Sequence, residues 1–234
     1  MGYLFEGLSA EVFPLQKMIK LTFSKITQDD LKQFVNIQEQ GIATYPWTQD
    51  DAISIDEKEQ NYLQAIQSHL FNYDTHLMNE ATIWARAIYP LLLLSEQGNI
   101  QAWAEVPLKA QYGHFELEGV VDGVLGKCVS GFLETPYLVV VEAKRGLENE
   151  NPLFQLYAQI LAAAYLNWKD DGHDPQTIFG AYIIADTWKF LKAEIKGIDT
   201  DQTQMRIESS REYVEKLEAE TIFQILKGIV LKKQ

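Results

Sequence analysis

Leu138-Val139-Val140-Val141 is a run of four apolar residues, three of them β-branched, and it ends in Glu142-Ala143-Lys144. A run of this kind reads as a central strand covered on both faces, because a half-exposed strand alternates apolar with polar residues. Charge enters only at its end, where Glu142 and Lys144 are two apart and share one face. A carboxylate and an ammonium at the end of a buried strand cost desolvation unless they meet partners or do chemistry there. The plain alternative is a strand running out to solvent through an ordinary Glu and Lys.

At 234 residues the chain is long enough for a full core, and a composition of 47% hydrophobic and 23% charged residues is that of a globular protein. The densest apolar patch, Leu91 to Leu94, is far short of the roughly 20 residues a membrane helix needs. With no signal-peptide pattern at the N-terminus, a soluble cytoplasmic protein is expected. The single cysteine, Cys128, excludes an internal disulfide and a cysteine-cluster metal site. A net charge of −13 argues against broad electrostatic affinity for nucleic acid or anionic membrane, while leaving room for a local basic patch or a bound divalent cation.

Residues 1–72 read as a helical N-terminal extension packed on a core domain of residues 73–234, the two making one compact unit. Lys17, Lys20 and Lys25, with no acid between them, offer a short basic arm as the sharper alternative. Thr27-Gln28-Asp29-Asp30 caps a first helix carrying Leu31, Phe34, Val35 and Ile37, with Gly41 past its end. Ser54-Ile55-Asp56-Glu57 opens a second, and a third runs from near Asp74 or Thr75 to at least Tyr89, where Pro90 ends or kinks it. Glu80 falls within the apolar stripe of that third helix (Leu77, Ala81, Trp84, Ala85, Ile88), where a Glu ordinarily snorkels or meets a helix partner.

Beyond Gly98-Asn99 the pattern turns to strands: residues 101–110, then 115–125 with Glu116, Glu118, Val120 and Asp122 of one parity, then the central strand. Asp122-Gly123 is also a hairpin-turn signal, but Tyr112-Gly113 and Gly131 with Thr135-Pro136 are the clearer turns, so a continuous strand through Asp122 is expected. Asn151-Pro152 starts a helix with a wide apolar face, on which Gln155 and Gln159 lie one turn apart. Residues 179–186 and 188–195 form a strand pair, 205–208 a short edge strand, and Ser209-Ser210-Arg211-Glu212 is a capping box for a C-terminal helix.

If the strands carrying Asp122 and Glu142 pair, two carboxylates meet at one end of the sheet, a donor set suited to a hard divalent cation, with Lys144 beside it. Helix with Glu80, strand, strand with Asp122, strand with Glu142-Ala143-Lys144, helix with Gln155 and Gln159: in this order the chain resembles the PD-(D/E)xK nuclease superfamily over roughly residues 75–190. The resemblance implies an α/β (α+β) fold, a mixed β-sheet core of restriction-endonuclease-like type (α-β-β-β-α-β) flanked by helices. It implies that Asp122, Glu142 and the main-chain carbonyl of Ala143 hold Mg²⁺ or Mn²⁺, and that Lys144 orients or activates the attacking water. Gln155 and Glu80 complete the site, although Gln155, Tyr157 and Gln159 can each claim the glutamine position. Val121 stands where the motif has proline.

The expected activity is therefore metal-dependent hydrolysis of phosphodiester bonds, most readily in DNA. The alternative is a catalytically inactive nuclease-like fold acting as an assembly subunit, docking a protein partner or a second copy through its acidic surface. Retention of both carboxylates and of Lys144 favours the enzyme. A nucleotide-binding loop is not supported, because Gly126-Lys127 is followed by Cys128 and lacks the first glycine, and His69, His76, His114 and His173 have no metalloprotease spacing.

Overall fold

In the computed structural model, which describes residues 18–49, 53–145 and 152–232, the chain runs β1 (Ile19–Thr22), α1 (Gln28–Lys32), β2 (Val35–Ile42), α2 (Glu57–Phe71), α3 (Glu80–Ile83), α4 (Tyr89–Leu94), β3 (Ile100–Gln111), β4 (Phe115–Val129), β5 (Phe132–Lys144), α5 (Leu153–Asp171), β6 (Gln176–Ile184), β7 (Thr187–Lys196), β8 (Thr203–Val214) and α6 (Glu215–Leu231). Eight strands form one mixed sheet in the order β1-β4-β5-β6-β7-β8-β2, with β3 paired to β4. The apolar run lies in β5, antiparallel to β4 and parallel to β6, with α5 as the crossover between the parallel pair. Val139 and Val141 enter the core shared with α2, α4 and α6, and Val140 the core shared with α5. Each is fully buried, worth about 1.5–3 kcal/mol apiece in apolar transfer. α5 presses so closely on β6 that a Cβ at Gly180 would sit 2.7 Å from the Ile160 Cδ1.

β4 carries three partners. β3 runs along one edge from Glu116 to Lys127, so β1 and β5 share the other: β1 pairs residues 115–118, and β5 pairs from Gly123 onward. Between them β4 is open, and this is where Asp122 stands. Both strands of the β3–β4 hairpin also change face at this level. Ile100 and Ala102 pack with the first core, Val106, Leu108 and Ala110 with the second, and the break is at Glu105, whose φ of +52° takes it out of the ladder opposite Asp122. On β4 both Val121 and Val124 enter the second core, so the single-parity stripe expected for residues 116–122 ends at the bend.

Several elements differ from the sequence reading. The stretch taken as a helical extension supplies two strands: β1 against β4, and β2 parallel to β8 at the sheet edge. The apolar residues 31–37 satisfy either period. α1 stops at Lys32, and Val35 and Ile37 alternate along β2 opposite Thr203 and Met205. Lys20 is spent on Glu116 at 3.2 Å, and Lys17 lies outside the described residues. The third helix begins only at Glu80, capped by Asn79, and passes through Pro90 by means of a π turn over Trp84–Ile88. A proline cannot donate to the preceding turn, and the widened turn absorbs that loss. Ser209-Ser210-Arg211-Glu212 caps no helix: Ser209 pairs with Leu191, and the Ser210 hydroxyl accepts the Phe190 N–H at 2.9 Å at the irregularity between Lys189 and Leu191, so β8 is an interior strand continuing to Val214. Asn151 lies outside the described residues, and Pro152 directly precedes the first residue of α5. Among the described residues no helix is long and apolar enough to cross a membrane.

Candidate active site

The fork where β5 leaves β4 for β6 gathers the charged residues singled out from the sequence. Register from Gly123↔Val141 places Asp122 opposite Glu142 just beyond the last paired residues. The Asp122 Oδ2 accepts the main-chain N–H of Ala143 at 2.7 Å, replacing the ladder bond that the parting strands no longer make. Glu142 is fully buried. Its Oε1 lies 2.9 Å from the Lys144 Nζ, and its Oε2 accepts the side-chain amide of Gln159 at 2.5 Å. Lys144 is half-buried and lies within electrostatic reach of Glu142, Glu80 and Asp122.

The fork is acidic, and the ionisation of its groups follows from that. Burial pushes the Glu142 carboxyl up to about 7, the negative charge of Asp122 adds to the rise, and the Gln159 amide and Lys144 ammonium only partly offset it. Asp122 is raised as well, chiefly by burial, against the Ala143 hydrogen bond and the Lys144 charge, with Glu105 adding repulsion. For Lys144 burial works against the ammonium, but Glu142, Glu80 and Asp122 together outweigh it and hold the group above its usual range. The ammonium is thus firmly charged, while the two carboxylates repel each other across the fork.

Of the residues named from the sequence, Asp122, Glu142, Ala143 and Lys144 are brought together, and Glu80 stands at the first turn of α3 facing the same space. Gln155 is not at Glu142: among the described residues it is Gln159, one turn further along α5, that holds this carboxylate. Two residues were not singled out as part of the site. Glu105 adds a carboxylate across from Asp122, and Trp84, read as core, lines a cavity with Glu80, Glu105 and Asp122. An exposed Glu within a strand carries no signal in sequence; the outlying φ of Glu105 is visible only in three dimensions.

Among the described residues no three or more His, Cys, Asp or Glu side chains are grouped so as to hold a metal ion. A cation here would rest on the two carboxylates and a main-chain carbonyl. Their chemistry fits: both are hard oxygen donors, Asp122 commits only Oδ2 to its hydrogen bond, and the buried Glu142 Oε1 faces only the neighbouring ammonium. No protein-family model matches this chain, and no curated protein matches it.

Proposed function

We propose that the protein is a divalent-metal-dependent nuclease of the restriction-endonuclease-like type, hydrolysing phosphodiester bonds, with DNA as the substrate expected first. The observation that carries this reading is the convergence of Asp122, Glu142 and Lys144 where β5 parts from β4. With α3 and α4 counted as one helix running through the π turn, the succession into β3, β4, β5, α5 and β6 supports it, because it follows the α-β-β-β-α-β order with Glu80, Asp122, Glu142 and Lys144 on their expected elements.

Asp122, Glu142 and the carbonyl of Ala143 would hold Mg²⁺ or Mn²⁺. Such a cation lowers the pKa of a bound water and stabilises negative charge on the phosphoryl oxygens. Gln159 fixes the rotamer of Glu142 and keeps one oxygen of it occupied, leaving the other directed towards Lys144. The ammonium of Lys144 remains charged at neutral pH, so it orients the attacking water and offsets charge on the scissile phosphate as that charge grows. Asp122 ties its position to the β5 main chain through Ala143, so the two halves of the site cannot drift apart without breaking a hydrogen bond.

The test is cleavage of labelled DNA by purified protein with Mg²⁺ or Mn²⁺, alongside Lys144→Ala and Asp122→Asn. Metal-dependent cleavage lost in both folded variants is the expected result. Cleavage by Lys144→Ala at the wild-type rate would remove the assignment.

A further inference from the structure

Next to the fork lies a cavity of about 370 Å³, at the small end of ligand-sized pockets, with Trp84 as its aromatic wall and Ala104 and Ala143 as its small apolar ones. Its charged groups are all carboxylates: Glu80, Glu105 and Asp122. Trp84 is held in place. Its ring rests on the backbone of Gly123, where any Cβ would collide with it, and stacks at a tilt against Tyr89 with 5.8 Å between centroids. The π turn carries this residue, and the flipped backbone of Glu105 presents its exposed carboxylate from the opposite strand.

We infer that this cavity receives an unstacked nucleobase of a single-stranded nucleic acid, stacked on Trp84 and held through its exocyclic amine by the exposed carboxylate of Glu105. The inference rests on the nuclease reading and names its substrate class. A planar ring between an indole and two alanines gains stacking from any base. Carboxylates on its rim favour bases that carry an exocyclic amine, cytosine, adenine and guanine, over thymine, which carries none. Asp122 belongs both to the cavity and to the fork, so the base held here is attached to the nucleotide at the reacting phosphate. A base reaches such a wall only when it is out of a duplex stack. A net charge of −13 also argues against broad electrostatic affinity for the phosphates of a duplex.

The experiment titrates short oligo-dC, oligo-dT and a duplex of the same length into Lys144→Ala protein with Mg²⁺, reading tryptophan fluorescence and anisotropy of the labelled oligonucleotide. Oligo-dC should quench the fluorescence and bind about tenfold more tightly than the duplex. Trp84→Phe, which keeps a ring over Gly123 and so keeps the fold, should abolish the quench that wild-type Trp84 gives among the five tryptophans. Glu105→Ala, an exposed change, should erase the preference of oligo-dC over oligo-dT. Equal binding of duplex and single strand, a quench surviving Trp84→Phe, or no binding of oligo-dC would each overturn the inference. Wild-type cleavage assayed in parallel separates the two readings: duplex cleavage without the quench removes the base pocket alone, whereas the quench without any cleavage removes the nuclease and leaves the pocket.

Discussion

Two pairs of carboxylates, one with half-buried Asp122 and the other buried throughout, lie at the same end of the sheet, joined by the hydrogen bond from the Ala185 N–H to the Lys144 carbonyl at 3.0 Å. One is Asp122 and Glu142 at the fork. The other is Asp186, in the turn between β6 and β7, and Glu215, at the start of α6. The second pair is sealed: the Asp186 Oδ1 accepts the Thr75 hydroxyl at 3.0 Å, and the Glu215 Oε2 accepts the Trp188 indole N–H at 2.7 Å. The Glu215 main-chain N–H meets the Asp186 carbonyl, and Lys216 stands off at 3.5 Å from the Asp186 Oδ2. Burial, with Asp186 adding to it, pushes Glu215 up to about 8, further than Glu142 is pushed at the fork. A raised carboxyl is therefore no mark of chemistry by itself. What sets the fork apart is an ammonium in close contact and a cavity reaching one of the acids.

Removing the two lysines separates the pairs most sharply. Lys144→Ala should lower metal-dependent cleavage by about a thousandfold or more, the usual scale for losing an electrostatic group at a phosphoryl centre, with little change in melting temperature because Glu142 can take up a proton. Lys216→Ala, measured in the same assay, should leave the rate unchanged. The next contrast is in stability. Glu215→Ala strands the Trp188 N–H and leaves a void, costing about 3 kcal/mol in denaturant unfolding. Asp122→Asn still offers an oxygen to Ala143 and removes repulsion from Glu142, so the metal-free protein should melt no lower than wild type while losing its stabilisation by Mg²⁺. An Asp122→Asn protein still stabilised by Mg²⁺ would place the cation elsewhere.

The parts of this arrangement legible in the sequence are those where one period has no competitor. The β-branched run ending in Glu142 could only be a buried strand, and the wide apolar face of residues 153–168 could only be a helix over it. Asp122 was legible as a strand residue because better turns flank it. Val35 and Ile37 were not, since residues 31–37 satisfy both periods and only pairing with β8 decides. Nor was the β8 extension, because a serine that caps and a serine that mends a ladder look alike. Gln155 and Gln159 share one stripe. Only the packing of α5 on β5 decides between them, and it brings Gln159 to Glu142.

That geometry predicts a graded result. Gln159→Leu frees Glu142 to rotate and should weaken Mg²⁺ binding by about ten- to a hundredfold in calorimetry, the range for groups that orient a ligand. Gln155→Leu should change it less, and the reverse order would return the sequence-based choice of Gln155 to the site.

The smallest effect reads both pairs in one pH series. A carboxyl raised on folding binds its proton in the folded chain where the unfolded chain, near pH 4.3, has lost it. Its stabilisation is full below that value and is lost as pH rises through the folded value, with a slope of at most about 1.4 kcal/mol per pH unit for each group. Metal-free stability should thus fall through the windows ending at about 7 for Glu142 and about 8 for Glu215. Glu215→Gln should flatten the curve between about 7 and 8 and lessen its slope below 7, where Glu142 still titrates. Saturating Mg²⁺ should instead lessen the slope below about 7 and keep the fall from about 7 to about 8, because a cation held by Asp122 and Glu142 would displace the Glu142 proton, whereas Glu215 holds the Trp188 N–H beside the buried Asp186. If Mg²⁺ flattened the upper part instead, the sealed pair would be the one that binds metal, and the division between the two would have to be reversed.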